Sequence, residues 1–314
     1  MSEDGAADNW ELVVDGIDFG EGPRWHLGRL WFSDFYQGTI SSVGHDRKRR
    51  VEVEYDGRPS GLGWLPDGRL LFVSMLDRRV MRREADGSIV EHADLDGIAS
   101  GHCNDMVVGP QGNAYVGNFG FDFEGGEAPA SATLAIVWAD GTVTAAADDL
   151  RFPNGSVITD DGSTLIVGES MGARYTAFTI THDRGLTDRR VWADVPGMAP
   201  DGCTIDADGA IWFADALGAQ VVRVAEGGEI TEQLATPNNV YACMLGGADG
   251  RTLFALTAAG SHPDEVAGRA TGALWQTRVE VPRTPTSRPS SRWTRPRACG
   301  CGCTTGKTPP WPSS

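Results

Sequence analysis

The segment Gly63-Trp64-Leu65-Pro66-Asp67-Gly68, which leads into Leu70-Leu71-Phe72-Val73, contains the pattern that decides the fold. An apolar stretch runs into a polar turn that ends in glycine, and a strongly apolar segment follows. Asp-Gly between apolar runs is a hairpin signal, because glycine accepts the positive φ that such turns require. The same plan occurs six times, with turn glycines at Gly28, Gly68, Gly112, Gly162, Gly209 and Gly250.

The repeat has the period of a β-propeller blade. Successive turn glycines are 40 to 50 residues apart, and units of about 44 residues with four short strands are typical of propellers. Two further strands follow a hairpin, as in Arg79 to Arg83 and Ile89 to His92. No apolar run keeps helical periodicity over three turns, and the even spacing disfavours a tandem of separate sandwiches. The sequence therefore predicts an all-β fold, a six-bladed β-propeller over residues 10–282.

The segment from Trp10 to Val14 precedes the first blade and has no hairpin partner of its own. We expect it to close the ring by pairing with the last blade near Gly272 to Gln276, since closure of this kind removes exposed sheet edges.

Charge and composition limit the partners. The formal net charge of −16 and the pI near 4.7 disfavour nucleic acid and anionic membranes as ligands, because both are negatively charged. Residues 1–9 are acidic and poor in apolar side chains, so we expect a disordered N-terminus that is not a signal peptide. No apolar run reaches the ~18 residues of a membrane span. We expect a cytoplasmic monomer or weak homo-oligomer that acts on a small molecule.

The composition changes abruptly near the C-terminus. Residues 283–314 contain no Asp or Glu, five Arg, one Lys and six Pro, together with Cys299-Gly300-Cys301-Gly302-Cys303. Alternate cysteines lack the spaced second pair of a zinc site. We interpret this tail as disordered and out of frame with the preceding coding sequence or otherwise non-native.

Four polar residues precede hydrophobic strands at related points of the repeat: Glu21, Asn104, Asn154 and Asp201. If the repeats form a ring, all four can face one spot on its axis. Two carboxylates and two amide oxygens that converge there form a hard-oxygen cage for a divalent cation. The sequence therefore predicts a central metal site. Cys103 and Cys203 lie close to these motifs, and we interpret them as packing residues in preference to catalytic thiols.

The motifs, taken in order, resemble the senescence-marker-protein/gluconolactonase/luciferin-regenerating-enzyme family. They are Glu21 to Trp25, Pro59 to Leu62, Asn104-Asp105, Pro153 to Gly155 and Pro200 to Gly202. The resemblance ends near Pro282. It implies a six-bladed propeller with one divalent cation in the channel and lactone hydrolysis as the commonest activity.

The resemblance also implies roles for individual residues. The family's metal ligands correspond to Glu21, Asn154 and Asp201. Asn104 matches a residue that holds the substrate or the metal-bound water, and in some relatives it ligates the metal directly. Of the ions, Ca²⁺ is favoured by the oxygen donors, with Mg²⁺, Mn²⁺, Zn²⁺ and Fe²⁺ as alternatives.

Three positions depart from the sugar-lactonase pattern of that family. His102 stands where those members often have Arg, Met106 stands where they often have Gly, and their substrate-contacting Glu falls near Asp122 without a clean match. We predict that Asn104, His102 and Asp122 contact substrate. Met106, Phe119 and Phe121 would make the predicted pocket more apolar, which favours a less hydroxylated lactone or ester.

The predicted chemistry is metal-dependent hydrolysis, with Asp201 as the candidate general base. The sequence has no Gly-x-Ser-x-Gly elbow, which counts against a serine hydrolase. Two classes of alternative remain open. The first is an organophosphate hydrolase, or a lyase or cyclase, on the same metal site. The second is a non-catalytic propeller that binds calcium or another ligand.

Overall fold

The computed structural model describes residues 9–284. The predicted N-terminal segment, except for its last residue, and the predicted tail from residue 285 onward lie outside these residues. The described chain forms six antiparallel sheets of four strands each, arranged as the blades of a propeller. The all-β, six-bladed fold predicted from the repeat is confirmed.

The strands of each blade follow one another in the chain, with the exception of the last blade. Blade 1 contains β2 (Gly20–His26), β3 (Arg29–Asp34), β4 (Thr39–Val43) and β5 (Arg49–Glu54). Blade 2 contains β6 (Pro59–Trp64), β7 (Leu70–Ser74), β8 (Arg79–Arg83) and β9 (Ile89–Asp94). Blade 3 contains β10 (Cys103–Val108), β11 (Ala114–Asn118), β12 (Ala132–Val137) and β13 (Val143–Leu150).

The second half of the ring repeats this order. Blade 4 contains β14 (Pro153–Ile158), β15 (Thr164–Glu169), β16 (Arg174–Ile180) and β17 (Leu186–Asp194). Blade 5 contains β18 (Pro200–Ile205), β19 (Ile211–Asp215), β20 (Gln220–Val224) and β21 (Ile230–Ala235). Blade 6 contains β22 (Val240–Gly246), β23 (Thr252–Thr257), β24 (Gly272–Arg278) and β1 (Glu11–Ile17). A 3₁₀ turn (Ser170–Gly172) and one short helix, α1 (Pro263–Val266), lie in loops.

The six turn glycines occupy the hairpins between the first and second strands of the blades. Their φ angles lie between 70° and 88°, in the left-handed region that Gly adopts without steric cost. The pattern that predicted the repeat therefore also explains each tight turn.

The first strand of the chain closes the ring, as predicted. β1 pairs antiparallel with β24, with Leu12 opposite Trp275 and Val14 opposite Leu274. The indole Nε1 of Trp10 donates to the carbonyl of Ala235 at the end of blade 5 (2.7 Å). Blade 6 is thus built from both ends of the described chain.

Apolar side chains fill the spaces between neighbouring blades. Trp212 of β19 is fully buried in a cluster with Leu245 of β22, and Ile40 of β4 packs with Phe72 of β7. Burial between blades rather than within one sheet holds the ring together, since each sheet alone could cover only part of its apolar surface.

Ordered contacts extend to the end of the described residues. The amide of Ala207 donates to the carbonyl of Pro282 (2.8 Å), and the amide of Arg283 donates to the carbonyl of Gly250 (2.9 Å). The backbone of Arg283 also forms an isolated antiparallel β-bridge with Asp206. Contacts therefore continue through Thr284, two residues past the predicted boundary at Pro282. Between residues 9 and 284, no helix is long and apolar enough to cross a membrane.

Two truncations test which end of the chain completes the ring. Deletion of residues 1–17 removes β1 and leaves blade 6 with three strands, so we expect the melting temperature to fall by more than about 10 °C. Truncation after Thr284 removes a Pro-rich segment with few large aliphatic residues, and we expect a change of at most about a few degrees. Thermal unfolding measured by circular dichroism compares the two. Equal losses would contradict the closing role of β1.

Candidate metal centre

The innermost strand of every blade contains one extra residue relative to its neighbour. In blade 4, for example, Pro153 pairs with Glu169 but Ser156 pairs with Val167. The same irregularity occurs in the other five inner strands. Bulges of this kind re-aim a side chain out of the regular pleat. We call the six buried residues at these positions the axial ring: Glu21, Ser60, Asn104, Asn154, Asp201 and Tyr241.

The inner strands approach one another at backbone contact distance. A Cβ on Gly155 would lie 2.3 Å from the carbonyl oxygen of Asp201, and a Cβ on Gly202 would lie 2.6 Å from the Cβ of Ala242. No side chain fits at either position. The glycine after Asn154 therefore lets blade 4 approach blade 5, and the glycine after Asp201 lets blade 5 approach blade 6.

Buried acidic residues at the ends of the second strands hold the loops that lead into the axial ring. The carboxylate of Asp34 accepts the amides of Asp18 and Phe19 (2.9 and 3.2 Å), ahead of Glu21. Asp215 accepts the amide of Ala199 (3.0 Å), ahead of Asp201. Hydrogen bonds from backbone to carboxylate are strong and directional. They therefore fix the backbone just before the residues of the axial ring.

Two buried oxygens of the axial ring have no hydrogen-bond donor: Asn154 Oδ1 and Asp201 Oδ1. The amide orientation of Asn154 is fixed from the other side, because its Nδ2 donates to Ser170 Oγ (3.2 Å), which itself donates to the carbonyl of Pro200 (2.7 Å). Buried polar atoms are almost always paired. Two unpaired acceptors at the same place indicate a site for an electron-poor ligand.

The electrostatics of the centre favour a divalent cation. Glu21, Asp105 and Asp201 are buried, and the guanidinium of Arg24 pairs with Asp105 (2.7 Å). When all four groups are ionised, the three carboxylates and one guanidinium have a net charge of −2. A divalent cation would neutralise this charge.

Without such an ion the two carboxylates nearest the axis resist ionisation. Burial raises the pKa of Glu21 well above its ordinary value, and the charges of Asp201 and Asp105 raise it further. Burial and the charge of Asp105 raise the pKa of Asp201 in the same way, although the Gly202 amide and the Asn154 side chain oppose the shift. A cation at this point would favour the charged forms.

The donor set fits a hard cation. Glu21, Asn104, Asn154 and Asp201 supply carboxylate and amide oxygens, which suit Ca²⁺, Mg²⁺ or Mn²⁺ better than Zn²⁺. Within residues 9–284, no three His, Cys, Asp or Glu side chains group as a metal site. Any metal centre here therefore needs asparagine as well as carboxylate ligands.

A cavity of about 550 Å³ opens onto five members of the axial ring, all except Ser60. One side of it is a wall of phenylalanines. Phe119 stacks on Phe152 (ring centroids 4.4 Å apart), and Phe123 meets both edge-on (5.9 and 5.8 Å). The cavity thus combines a polar floor with an apolar wall.

The structure brings together the four predicted ligands but not all the predicted substrate contacts. Neither His102 nor Asp122 is among the residues that line the cavity. The His102 ring is half-buried, 6.1 Å from the ring of Phe119. Asp122 is exposed and accepts the amide of Gly125 (2.8 Å), which shapes its own loop. Their placement gives no support to direct contact with substrate.

Four residues that sequence reasoning missed belong to the site. Glu124 lines the cavity and pairs with Arg58 (2.5 Å). Ser60 donates to Asn104 Oδ1 (3.3 Å), and Ser170 and Tyr241 line the cavity. Pro59-Ser60-Gly61 repeats the Pro-x-Gly pattern of the ligand motifs, so Ser60 could have been found. Tyr241 lies between Val240 and Ala242, and this segment contains no motif that predicts a site residue.

The cysteines near the centre are packing residues. Cys103 and Cys203 are buried, and burial raises the pKa of each thiol to about 12. A nucleophilic cysteine needs a thiolate near neutral pH. The interpretation of these residues as packing positions is therefore consistent with their surroundings.

The fold and the axial ring together define a six-bladed propeller with a cluster of side-chain oxygen atoms, able to ligate a metal, at the end of its channel. Residues 19–259 match the model of the SMP-30/Gluconolactonase/LRE-like region. The chain belongs to this family, as its motifs indicated.

Similar proteins share nearly the full length of the described fold. The chain is 29% identical over 299 residues to pentonolactonase XacC of Haloferax volcanii, covering 89% of this chain and 96% of that protein. Its fold is similar to a luciferin-regenerating enzyme, with a TM-score of 0.75, 20% identity and coverage of 88% and 97%. It is also similar to the calcium-binding protein regucalcin of Agrobacterium tumefaciens, with a TM-score of 0.74, 21% identity and coverage of 87% and 94%.

The hydrogen bond from Asn154 to Ser170 gives a first test of the centre. Ser170→Ala removes the acceptor that orients the amide, so we expect affinity for Ca²⁺ to fall by about tenfold, as is usual when a partner of a metal ligand is lost. Isothermal titration calorimetry measures the change. Ser163→Ala, in an exposed hairpin turn, is the matched control and should bind Ca²⁺ as the parent does. Unchanged affinity in Ser170→Ala would contradict the orienting role.

Proposed function

We propose that the chain is a metal-dependent hydrolase that opens a lactone, or a related ester, to the hydroxy acid at the floor of the central cavity. The observation that carries this proposal is the pair of buried acceptors without donors, Asn154 Oδ1 and Asp201 Oδ1. They lie at the floor of a cavity large enough for a small molecule.

The proposed cofactor is one divalent cation, with Ca²⁺ as the favoured ion. Glu21, Asn154 and Asp201 would hold it, with Asn104 as a further neighbour. When bound, the ion supplies Lewis acidity that polarises the substrate carbonyl and makes a water molecule more acidic.

Asp201 is the proposed general base. It accepts the proton of the water that adds to the lactone carbonyl carbon, and it returns a proton to the ring oxygen as the carbon–oxygen bond breaks. Water and lactone are consumed, one hydroxy acid is formed, and Asp201 ends in its starting state. The closeness of its carboxylate to the axis supports this role.

Asn104 is the proposed donor to the substrate oxygen. Because Ser60 donates to its Oδ1 (3.3 Å), the carbonyl half of the amide is engaged and the Nδ2 hydrogens are left for a ligand. A fixed amide donor at the position where negative charge develops stabilises the tetrahedral state. This arrangement favours substrate binding over metal ligation for Asn104.

The relatives support the reaction class and the type of cofactor. Pentonolactonase XacC is named for lactone opening, and regucalcin is named as a calcium-binding protein. We extend both inferences to this chain because it belongs to the same family and because its axial ring contains oxygen atoms that could ligate a metal.

A lactone panel measured with and without chelator tests the proposal. We expect hydrolysis that is lost in EDTA and restored by adding back Ca²⁺ or another divalent ion, because the proposed ion supplies the positive charge beside the buried carboxylates of Glu21 and Asp201. A pH-stat assay measures acid release directly. Calcium binding without turnover of any lactone or ester would contradict the proposed hydrolase and favour one of the alternatives, another enzyme on the same site or a non-catalytic binding protein.

Two substitutions test the ligand set. Glu21→Gln and Asp201→Ala should each reduce kcat/KM by at least about a thousandfold and weaken metal binding sharply. The fold should survive in both, because packing between the blades does not use these side chains. Asp161→Ala removes a carboxylate from an exposed turn and is the control for loss of charge. Hydrolysis near the parental rate in either ligand variant would exclude the proposed site.

A further inference from the structure

We propose that the substrate carries an apolar substituent, alkyl or aryl, on its lactone or ester group, and that this substituent lies along the phenylalanine wall toward the mouth of the cavity. This inference rests on the proposed function, because it names the substrate class of the same site. Its support comes from the state of the polar groups in the lining, the shape of the wall and the exposed residues at the mouth.

Most polar groups in the cavity are already engaged with the protein. Besides the four candidate ligands, five lining residues have polar side chains: Tyr36, Glu124, Ser170, Tyr241 and Ser261. The Tyr36 hydroxyl donates to the carbonyl of Ser261 (3.0 Å), and the Ser170 hydroxyl donates to the carbonyl of Pro200 (2.7 Å). The single hydroxyl hydrogen of each side chain is therefore already used in a hydrogen bond within the protein.

Two further polar side chains have neighbours within the protein. Glu124 is paired with Arg58 (2.5 Å), and the Tyr241 phenol faces the side chains of Ser261 and Asn239. A polyhydroxylated lactone needs a partner for each hydroxyl that it buries. A hydroxyl buried without one lowers affinity by about tenfold or more. The lining therefore offers few free hydrogen-bond donors to the hydroxyl oxygens of a sugar lactone.

The wall is suited to an apolar group. Phe119, Phe123 and Phe152 contact one another through stacked and edge-on rings, so they present a continuous surface in a fixed arrangement. Phe19, Phe35 and Met75 extend the apolar lining on the side of blades 1 and 2. Apolar surface of this extent gains affinity only from a ligand that covers it.

Three apolar residues at the mouth remain exposed to solvent and form what we call the rim: Phe123, Met171 and Leu217. They belong to the loops after the second strands of blades 3, 4 and 5, and all three line the cavity. Their exposures are 40%, 42% and 76%. An apolar rim continuous with an apolar wall extends the surface available to a substituent outward from the reacting carbonyl.

Hydrolysis of a homologous series tests the inference. The series contains γ-lactones with unbranched alkyl substituents from none to about eight carbons, together with gluconolactone and a pentonolactone. We expect kcat/KM to rise about threefold per methylene until the chain reaches the rim, and the alkyl lactones to exceed both sugar lactones. A flat series with faster hydrolysis of the sugar lactones would overturn the inference and leave the proposed function intact.

Rim substitutions locate the substituent. Leu217→Ser and Met171→Ser should reduce the gain from the outermost methylenes by about threefold or more, and both side chains are exposed enough for the fold to tolerate the change. Leu27→Ser, in the turn between β2 and β3 and 88% exposed, is the matched control. It should reproduce the parental chain-length dependence. An identical dependence in all three variants would exclude the rim from the binding surface.

A binding measurement separates the inference from the catalytic proposal. 3-Alkylcyclopentanones keep the ring and chain of the γ-lactones but cannot be hydrolysed, and calorimetry gives their affinities directly. Affinity that rises with chain length in the absence of any lactone turnover would overturn the proposed function while supporting an apolar ligand. Affinity that is independent of chain length would overturn the inference whatever the enzyme hydrolyses.

Discussion

The close approach of the inner strands at the axis is the constraint on which the rest of the structure depends. Gly155 and Gly202 leave less than 3 Å between their would-be Cβ atoms and the neighbouring blade, and each directly follows a candidate ligand. A side chain at either place would push two blades apart and withdraw Asn154 or Asp201 from the centre. The fold and the candidate site thus share the same residues, because the bulge re-aims the candidate ligand and the glycine lets the blades meet.

The sequence predicts the fold well because the fold is local. Each hairpin is specified by a turn glycine and two apolar runs, and the prediction of ring closure by β1 needs only the absence of a nearby partner for Trp10 to Val14. The four candidate residues at the floor of the cavity could be predicted for the same reason, since each precedes a hydrophobic strand at a related point of the repeat.

The upper part of the cavity could not be predicted from the repeat, because it is built by loops. The segment between β11 and β12 differs in length from its counterparts, and its turn sends Asp122 outward while Glu124 faces the cavity and meets Arg58 from blade 2. His102 is likewise absent from the cavity lining, although its ring lies 6.1 Å from that of Phe119. Such contacts depend on how a loop folds over a neighbouring blade, and the spacing of residues in the sequence does not predict that conformation.

The pairing of β1 with β24 also has a consequence for biosynthesis. A chain made from its N-terminus presents β1 first, yet the partner of β1 emerges only after nearly all of the other strands. Blades 1 to 5 can form in order as they leave the ribosome, whereas the axis stays open on one side until residue 278 is available. The four oxygen donors come from blades 1, 3, 4 and 5, so they reach their final separation only when the last blade is in place. A cation at the proposed centre would then be held by all of its candidate ligands only after blade 6 has closed the ring.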